Sequence, residues 1–187
     1  NSIYQPLDLS TMENATGGYS VILADPPWSW ITWSNKGANR SAKKYYPVME
    51  LRDICALPVN SLSADNCYLF LWSISSMLPH AFSVIDAWGF KPVNVGFVWV
   101  KRNKAGGGFF MGMGYHTRQN AEFCLLATKG KPKRKSAKIH QIIDAPRREH
   151  SRKPDEIYER IEEGFEGPYL ELFSRTKREG WSQWGLD

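Results

Sequence analysis

Residues 19–28 read YSVILADPPW. Tyr19 to Asp25 is a short apolar run closed by two prolines, the pattern of a buried strand that stops abruptly. Further runs of β-forming residues follow at Cys67–Ser73, Val93–Lys101, Glu122–Thr128, Ile139–Asp144, Tyr169–Phe173 and Trp181–Trp184. Helical spacing appears between them, at 49–57, at Ser76–Trp88 and at Lys153–Glu163. In the last of these, Ser151 is placed to cap, Pro154 suits the first turn, and Asp155 and Glu156 complement the dipole. Strands that are apolar throughout and alternate with helices predict an α/β domain, a mainly parallel sheet covered by helices on both faces. No internal repeat or linker divides the 187 residues, so a single domain over 1–187 is expected.

Composition narrows the function classes. The chain is 42% hydrophobic and 23% charged, ordinary for a globular protein. It has no apolar run of the ~20 residues that a membrane span needs. Asn1–Ser10 has neither the basic start nor the apolar centre of a signal peptide, so a cytoplasmic location is expected. Cys55, Cys67 and Cys124 form no CxxC pair, and His80, His116, His140 and His150 show no ligand spacing; no metal site is expected. The net charge is +5, and Lys129–Lys138 reads KGKPKRKSAK. That run is either a contact for a polyanion or a solvated loop. Eight tryptophans offer stacking surfaces for bases.

Two polar stretches stand out as loops. Trp30–Tyr45 carries Lys36, Arg40, Lys43 and Lys44; Arg102–Arg118 sets Gly106, Gly107, Gly108, Gly112 and Gly114 among Phe109, Phe110, Met111 and Tyr115. Segments this long are functional or disordered, and a substrate lid is the sharper reading. The glycines match neither a P-loop nor a dinucleotide fingerprint.

The chemistry is concentrated in Asp25-Pro26-Pro27-Trp28, directly after the first strand. An adenine amino nitrogen is a poor nucleophile because its lone pair is delocalised into the ring. A carboxylate and a backbone carbonyl that accept its two hydrogens would draw it toward tetrahedral geometry. Asp25 supplies the first acceptor, and Pro26 keeps a carbonyl for the second. Pro27 fixes the turn that aims them. Trp28 offers a flat face for the base, worth about 1–3 kcal/mol in stacking.

ADPPW after a strand resembles the adenine-N6 methyltransferase family that includes the catalytic subunit of the human messenger-RNA methyltransferase, with bacterial and phage members. The likeness runs from Tyr19 to Gly185. It takes in Phe70-Leu71-Trp72, Trp99-Val100-Lys101, Asn120-Ala121-Glu122, Lys153 to Tyr158, Glu171 to Arg175, and Trp181 with Trp184-Gly185. It implies a Rossmann-like S-adenosyl-L-methionine-dependent methyltransferase fold with permuted motif order, the catalytic strand early and the cofactor contacts late.

By matching positions, Asp25 would face both the target amine and the cofactor. Lys153 would hold the cofactor's carboxylate at a helix start. Arg175, after the strand that carries Glu171, would contact the ribose, with Glu171, Lys177 and Arg178 also binding the cofactor; a surface ion pair is the plainer reading of Glu171 and Arg175. Tyr46 and Glu122 match positions that hold the target nucleoside. Lys101 reaches substrate phosphate or is simply solvated. Trp72 and Trp99 are expected in the core, near the rim of the site. The family's closing Gly-Asn gives way to Gly185-Leu186, so that asparagine contact to the cofactor is missing or replaced. The expected partner is nucleic acid, DNA in preference to RNA, bound by a monomer or homodimer with no membrane involved. An RNA methyltransferase and a catalytically dead nucleic-acid-binding subunit are the competing readings.

Overall fold

A computed structural model describes residues 16–28, 49–149 and 152–185. Seven strands form one sheet: β1 (Tyr19–Ala24), β2 (Ser63–Ser73), β3 (Lys91–Arg102), β4 (Ala121–Lys129), β5 (Ile142–Pro146), β6 (Tyr169–Ser174) and β7 (Trp181–Gly185). Their spatial order is β5-β3-β4-β2-β1-β6-β7. β1 pairs in parallel with both β2 and β6, β6 with β7, and β3 with β5. β4 runs antiparallel to both its neighbours. Among the described residues four α-helices accompany the sheet: α1 (Leu51–Cys55), α2 (Val59–Leu62), α3 (Leu78–Ala87) and α4 (Glu156–Gly164).

β1 is apolar throughout because both of its faces are covered. Ile22 and Ala24 pack with Ile54 of α1, Val59 and Leu62 of α2, and Val84 and Ile85 of α3. Val21 and Leu23 point the other way, onto Ile157 and Ile161 of α4. β2 repeats the alternation: Leu69 and Leu71 join the first layer, Phe70 and Trp72 the second. The chain leaves β1 toward β2 through α1 and α2 on one face and returns to β6 through α4 on the other. A crevice opens at such a switch point, outside the carboxyl ends of the strands.

Several boundaries differ from the sequence reading for local reasons. The helix expected over 49–57 stops at Cys55, and Pro58 precedes the separate turn of α2. α4 begins at Glu156 rather than Lys153, because a residue preceding proline is pushed out of the helical region. Its N-cap is Asp155, which makes no side-chain capping bond; Ser151 lies outside the described residues. β5 covers Ile142–Pro146 in place of 139–144.

The basic run lies away from the crevice. Lys129 ends β4 and pairs with Cys67, whereas Phe123 near its start pairs with Ser73. Six residues of strand separate those levels, roughly 20 Å. KGKPKRKSAK therefore lies at the amino edge of β1, opposite Asp25. There Lys129 Nζ donates to Asn60 O and Ser63 Oγ, and the Tyr68 hydroxyl donates to the Pro132 carbonyl.

Among the described residues no helix is long and apolar enough to cross a membrane. Gly18 enters β1 at φ 80°, and a Cβ there would stand 2.6 Å from Ala64 N of β2. Gly18→Ala is expected to cost about 2 kcal/mol, lowering the Tm by about 6 °C in thermal denaturation. An unchanged Tm would mean that β1 enters the sheet differently.

Candidate active site

Asp25 follows the last residue of β1, and the two prolines turn the chain sharply behind it. Trp28 N donates to Pro26 O at 2.9 Å, and Met49 N donates to Pro27 O at 3.0 Å. Pro26 thus keeps one carbonyl lone pair uncommitted by that bond. Trp28 itself is 5% exposed within the core, and its indole Nε1 donates to Trp72 O at 3.3 Å. The expected flat face for a base is therefore covered. A buried indole needs an acceptor for its N–H, and the carbonyl at the end of β2 provides it. Trp28 ties the DPPW turn to β2.

Beside Asp25 lies an alternating row of charges. Lys153 Nζ sits 3.0 Å from Asp25 Oδ2 and 3.4 Å from Glu122 Oε1; Lys101 Nζ sits 2.7 Å from Glu122 Oε2. The Lys153 and Glu122 side chains are buried, at 11% and 6% exposure, while Asp25 remains 29% exposed. Burial disfavours the Lys153 charge, but Asp25 and Glu122 outweigh it and hold the ammonium above its usual pKa. Glu122 answers in kind: burial pushes its carboxyl up, and Lys153 with Lys101 more than reverses this, leaving it below the usual range. The ammonium of Lys101 also lies 5.1 Å from the Trp99 ring centroid, and that of Lys153 5.5 Å from the Trp72 ring.

These contacts give three candidate site residues protein partners. Glu122 has its two oxygens on two lysines, Lys101 and Lys153. Lys101 is not simply solvated: its ammonium completes the Glu122 pair. Lys153 stands before α4 and spans two carboxylates, so a further anion placed on it would also feel both. Trp72 and Trp99 are buried as expected, edge to face at 6.5 Å.

A cavity of about 180 Å³ opens at this edge. Its wall includes Leu23, Asp25, Trp72, Lys153, Tyr158, Glu171, Phe173, Arg175 and Thr176, with Glu149, Arg152 and Asp155 at the same opening. Two assignments drawn from the likeness fall outside the wall. Lys177 is exposed and does not line it. Arg178 makes a two-pronged pair with Glu162, at 2.8 and 3.0 Å, and its guanidinium lies over the Tyr158 ring at 4.9 Å. A planar fork already matched to a carboxylate has little left for a ligand. Tyr46 lies outside the described residues, as does the loop from Trp30 to Tyr45.

Glu171 is a wall residue with a partner that the sequence did not suggest: the Tyr158 hydroxyl hydrogen-bonds to it. Burial raises the Glu171 carboxyl above its ordinary value although the Tyr158 bond opposes this. Tyr158 stands in the first turn of α4, where proximity to Lys153 in the sequence was the available signal. At the end of β6, Phe173 has φ 62°, the left-handed region that a bulky residue seldom occupies. A Cβ on Gly185 would collide with the Ser174 carbonyl, so β7 presses its backbone against this turn. Strain of this kind gathers at ligand-binding edges.

Residues 19–187 match the MT-A70 family. The chain belongs to the MT-A70 family. Relatives include the type II methyltransferase M.MunI of Mycoplasma sp, 32% identical across all of this chain and 85% of that protein. An N(6)-adenosine-methyltransferase MT-A70-like protein of Arabidopsis thaliana is 31% identical over 90% of this chain but 24% of its own length. The human N(6)-adenosine-methyltransferase catalytic subunit METTL3 is 28% identical over 90% of this chain and 27% of its own. As an MT-A70 protein the chain is a methyltransferase, and its methyl donor is S-adenosylmethionine. The wall suits that donor's chemistry: carboxylates for an ammonium and a ribose diol, guanidinium groups for a carboxylate, and Leu23, Leu172 and Phe173 for apolar parts.

Glu122→Gln leaves two buried cations facing a neutral amide and is expected to cost about 3 kcal/mol. The folded pKa of Glu122 is depressed, so its contribution is complete above the unfolded value, about pH 4.3, and is lost as pH falls through the folded one. Lys153, with a raised pKa, contributes fully below its unfolded value of about pH 10.4 and loses this as pH rises past the folded one. Thermal melts should show the wild type approaching Glu122→Gln on acidification below about pH 4. A gap that persists through that range would place the stabilisation elsewhere.

Proposed function

We propose that this methyltransferase transfers the methyl group to the N6 amino nitrogen of adenine in DNA. The observation that carries the reading is the Asp25 carboxylate, part-exposed at the cavity and held from behind by Lys153 at 3.0 Å. One Asp25 oxygen is thereby fixed by the Lys153 ammonium, and the carboxylate is placed to accept a hydrogen from the target amine. The uncommitted lone pair of the Pro26 carbonyl accepts the other hydrogen. Together they pull the amine out of conjugation. Rate enhancement then comes from positioning and electrostatics, without a covalent enzyme intermediate. S-adenosylmethionine supplies, when bound, an electrophilic methyl on a sulfonium centre.

In this reading Glu171 and Arg175 bind the donor, Trp28 and Pro27 hold the DPPW turn, and Lys153, Glu122 and Lys101 position Asp25. Tyr46 remains assigned to the nucleoside by its matching position. Support for DNA comes from the extent of the likeness to the Mycoplasma type II methyltransferase, 85% of that protein, against about a quarter of the N(6)-adenosine enzymes. A duplex substrate requires the adenine to leave the stack before its amine can reach Asp25. The protein acts as a monomer or homodimer in a cytoplasmic setting. An intact DPPW sequence argues against a dead subunit, in which nothing would preserve both acceptors.

Matched DNA and RNA oligonucleotides, incubated with isotopically labelled S-adenosylmethionine and digested to nucleosides, test this. Labelled N6-methyladenine is expected from DNA. Labelling of RNA alone would overturn the choice of polymer. Asp25→Asn keeps the shape but weakens the acceptor, and kcat should fall by about 10²–10⁴-fold with the donor still bound in calorimetry. Lys153→Met should lower both Tm and kcat. If instead it removed donor affinity and left kcat at saturation intact, Lys153 would be the donor's carboxylate anchor and not the partner of Asp25.

A further inference from the structure

The stretch between β3 and β4 carries a pattern that methyl transfer does not use. Far from being structureless, it folds back as an arm on the end of β3: Phe110 N donates to Lys101 O at 2.8 Å, and Gly112 N donates to Gln119 O at 2.8 Å. Arg118 Nη1 closes the tip on Gly114 O at 2.9 Å. Along it the residues alternate. Phe109, Met111, Met113 and Tyr115 are exposed, at 55%, 70%, 67% and 85%, whereas Phe110, Gly112 and Gly114 face inward and are part-buried. The inner glycines are required, since a Cβ on Gly112 would collide with the Gln119 carbonyl and one on Gly114 with that of Thr117. A period of two that turns its large apolar residues outward is the reverse of what a solvated hairpin needs.

We propose that this arm is a base-stacking element, whose outward face packs against nucleotides flanking the target adenine. The proposal rests on nucleic acid being the substrate and names the surface that grips it. Charge selects this occupant over a protein. Residues 101–120 contain Lys101, Arg102, Lys104 and Arg118 and no acidic side chain. At the root of the arm the Arg147 guanidinium lies 4.2 Å from the Phe110 ring centroid, and that of Arg102, which is paired with Asp144 at 2.8 and 3.0 Å, lies 4.1 Å from the Phe109 ring. Aromatic and thioether faces set among cations suit stacked bases joined by phosphates.

Position agrees with this. The arm springs from the ends of β3 and β4 that carry Lys101 and Glu122, and Lys101 Nζ lies 6.0 Å from the Phe110 ring while paired with Glu122. The outward face thus begins one residue from the row of charges that ends at Asp25. Phe109 to Tyr115 spans up to about 20 Å when extended, the length of several stacked bases.

The test uses the whole protein and a fluorescein-labelled duplex of alternating dA and dT, followed by anisotropy across a salt series. The triple variant Met111→Ser, Met113→Ser, Tyr115→Ser should bind it on the order of ten-fold more weakly with the salt slope unchanged, because apolar contacts release no counterions. Stabilisation by S-adenosylmethionine in a thermal melt should match wild type, showing that fold and cavity are intact. Tyr115→Ala alone, at the most exposed position, should give a smaller loss in the same direction. Affinity equal to wild type, or no binding of the duplex by wild type, would overturn the proposal. So would a wild-type dimer that the triple variant splits in sedimentation while each protomer keeps its duplex affinity; the arm would then belong to a contact between copies of this chain. Methyl transfer is read separately. Absence of labelled adenine with the anisotropy difference intact sinks the adenine reading, and equal affinity with intact transfer sinks the arm.

Discussion

A single buried ammonium holds this site together. Lys153 reaches from the segment before α4 to meet Asp25, just past the end of β1, and Glu122 on β4. Two carboxylates so near one another would ordinarily drive one of them to take up a proton. With Lys153 between them and Lys101 behind, two negative and two positive charges alternate, and the row is neutral as a whole. Such a row is a weak source of net stability, because each charge has given up water. Its value is specificity: with the row complete, the Asp25 carboxylate is fixed in direction at the lip of a cavity. The part-exposed end of the row is the one that chemistry requires.

The rest of the crevice is shaped by backbone rather than by charge. β6 ends with Phe173 in the left-handed region, and the pairing with β7 slips by one residue between Leu172 and Ser174. The slip turns Phe173 and Arg175 toward the cavity that Asp25 overlooks from the neighbouring strand. Phe173 packs against Trp184 at 5.3 Å, and this contact, with the close approach of Gly185, offsets the cost of the strained residue. Acceptor chemistry and donor binding thus sit on adjacent parallel strands, β1 and β6, at one switch point of the sheet.

Much of this was legible in the sequence, and the parts that were not share a cause. Strands showed because burial on both faces makes them apolar without interruption, as in YSVILA and CYLFLWS. The DPPW turn showed because two prolines after an apolar run remove two N–H donors and end a strand. What a side chain does once buried did not show. Trp28 reads as a stacking face until its Nε1 is seen to need the Trp72 carbonyl. Glu122 and Lys101 read as substrate contacts, since nothing in their spacing tells that they pair across β3 and β4. Arg178 was drawn in by its closeness to Arg175, although one residue of chain direction sends it to Glu162. The basic run was conspicuous and lies at the wrong edge. Pairing partners are non-local facts, and composition along the chain does not encode them.

The direction of β4 ties these features together. In a wholly parallel sheet the strand between β3 and β2 would bring its last residue to the crevice, and its connection from β3 would cross a face of the sheet. Because β4 runs the other way, its first turn of sequence arrives at the crevice, so Glu122 can meet Lys153 immediately after the chain leaves the arm. The same reversal lets β3 and β4 be joined directly along the functional edge, where a long insertion interrupts no helix packing. It also dispatches the far end of β4, with its lysines, to the opposite edge. One antiparallel strand therefore decides three placements at once: the buried carboxylate behind Asp25, the arm beside it, and the removal of the most basic segment from both.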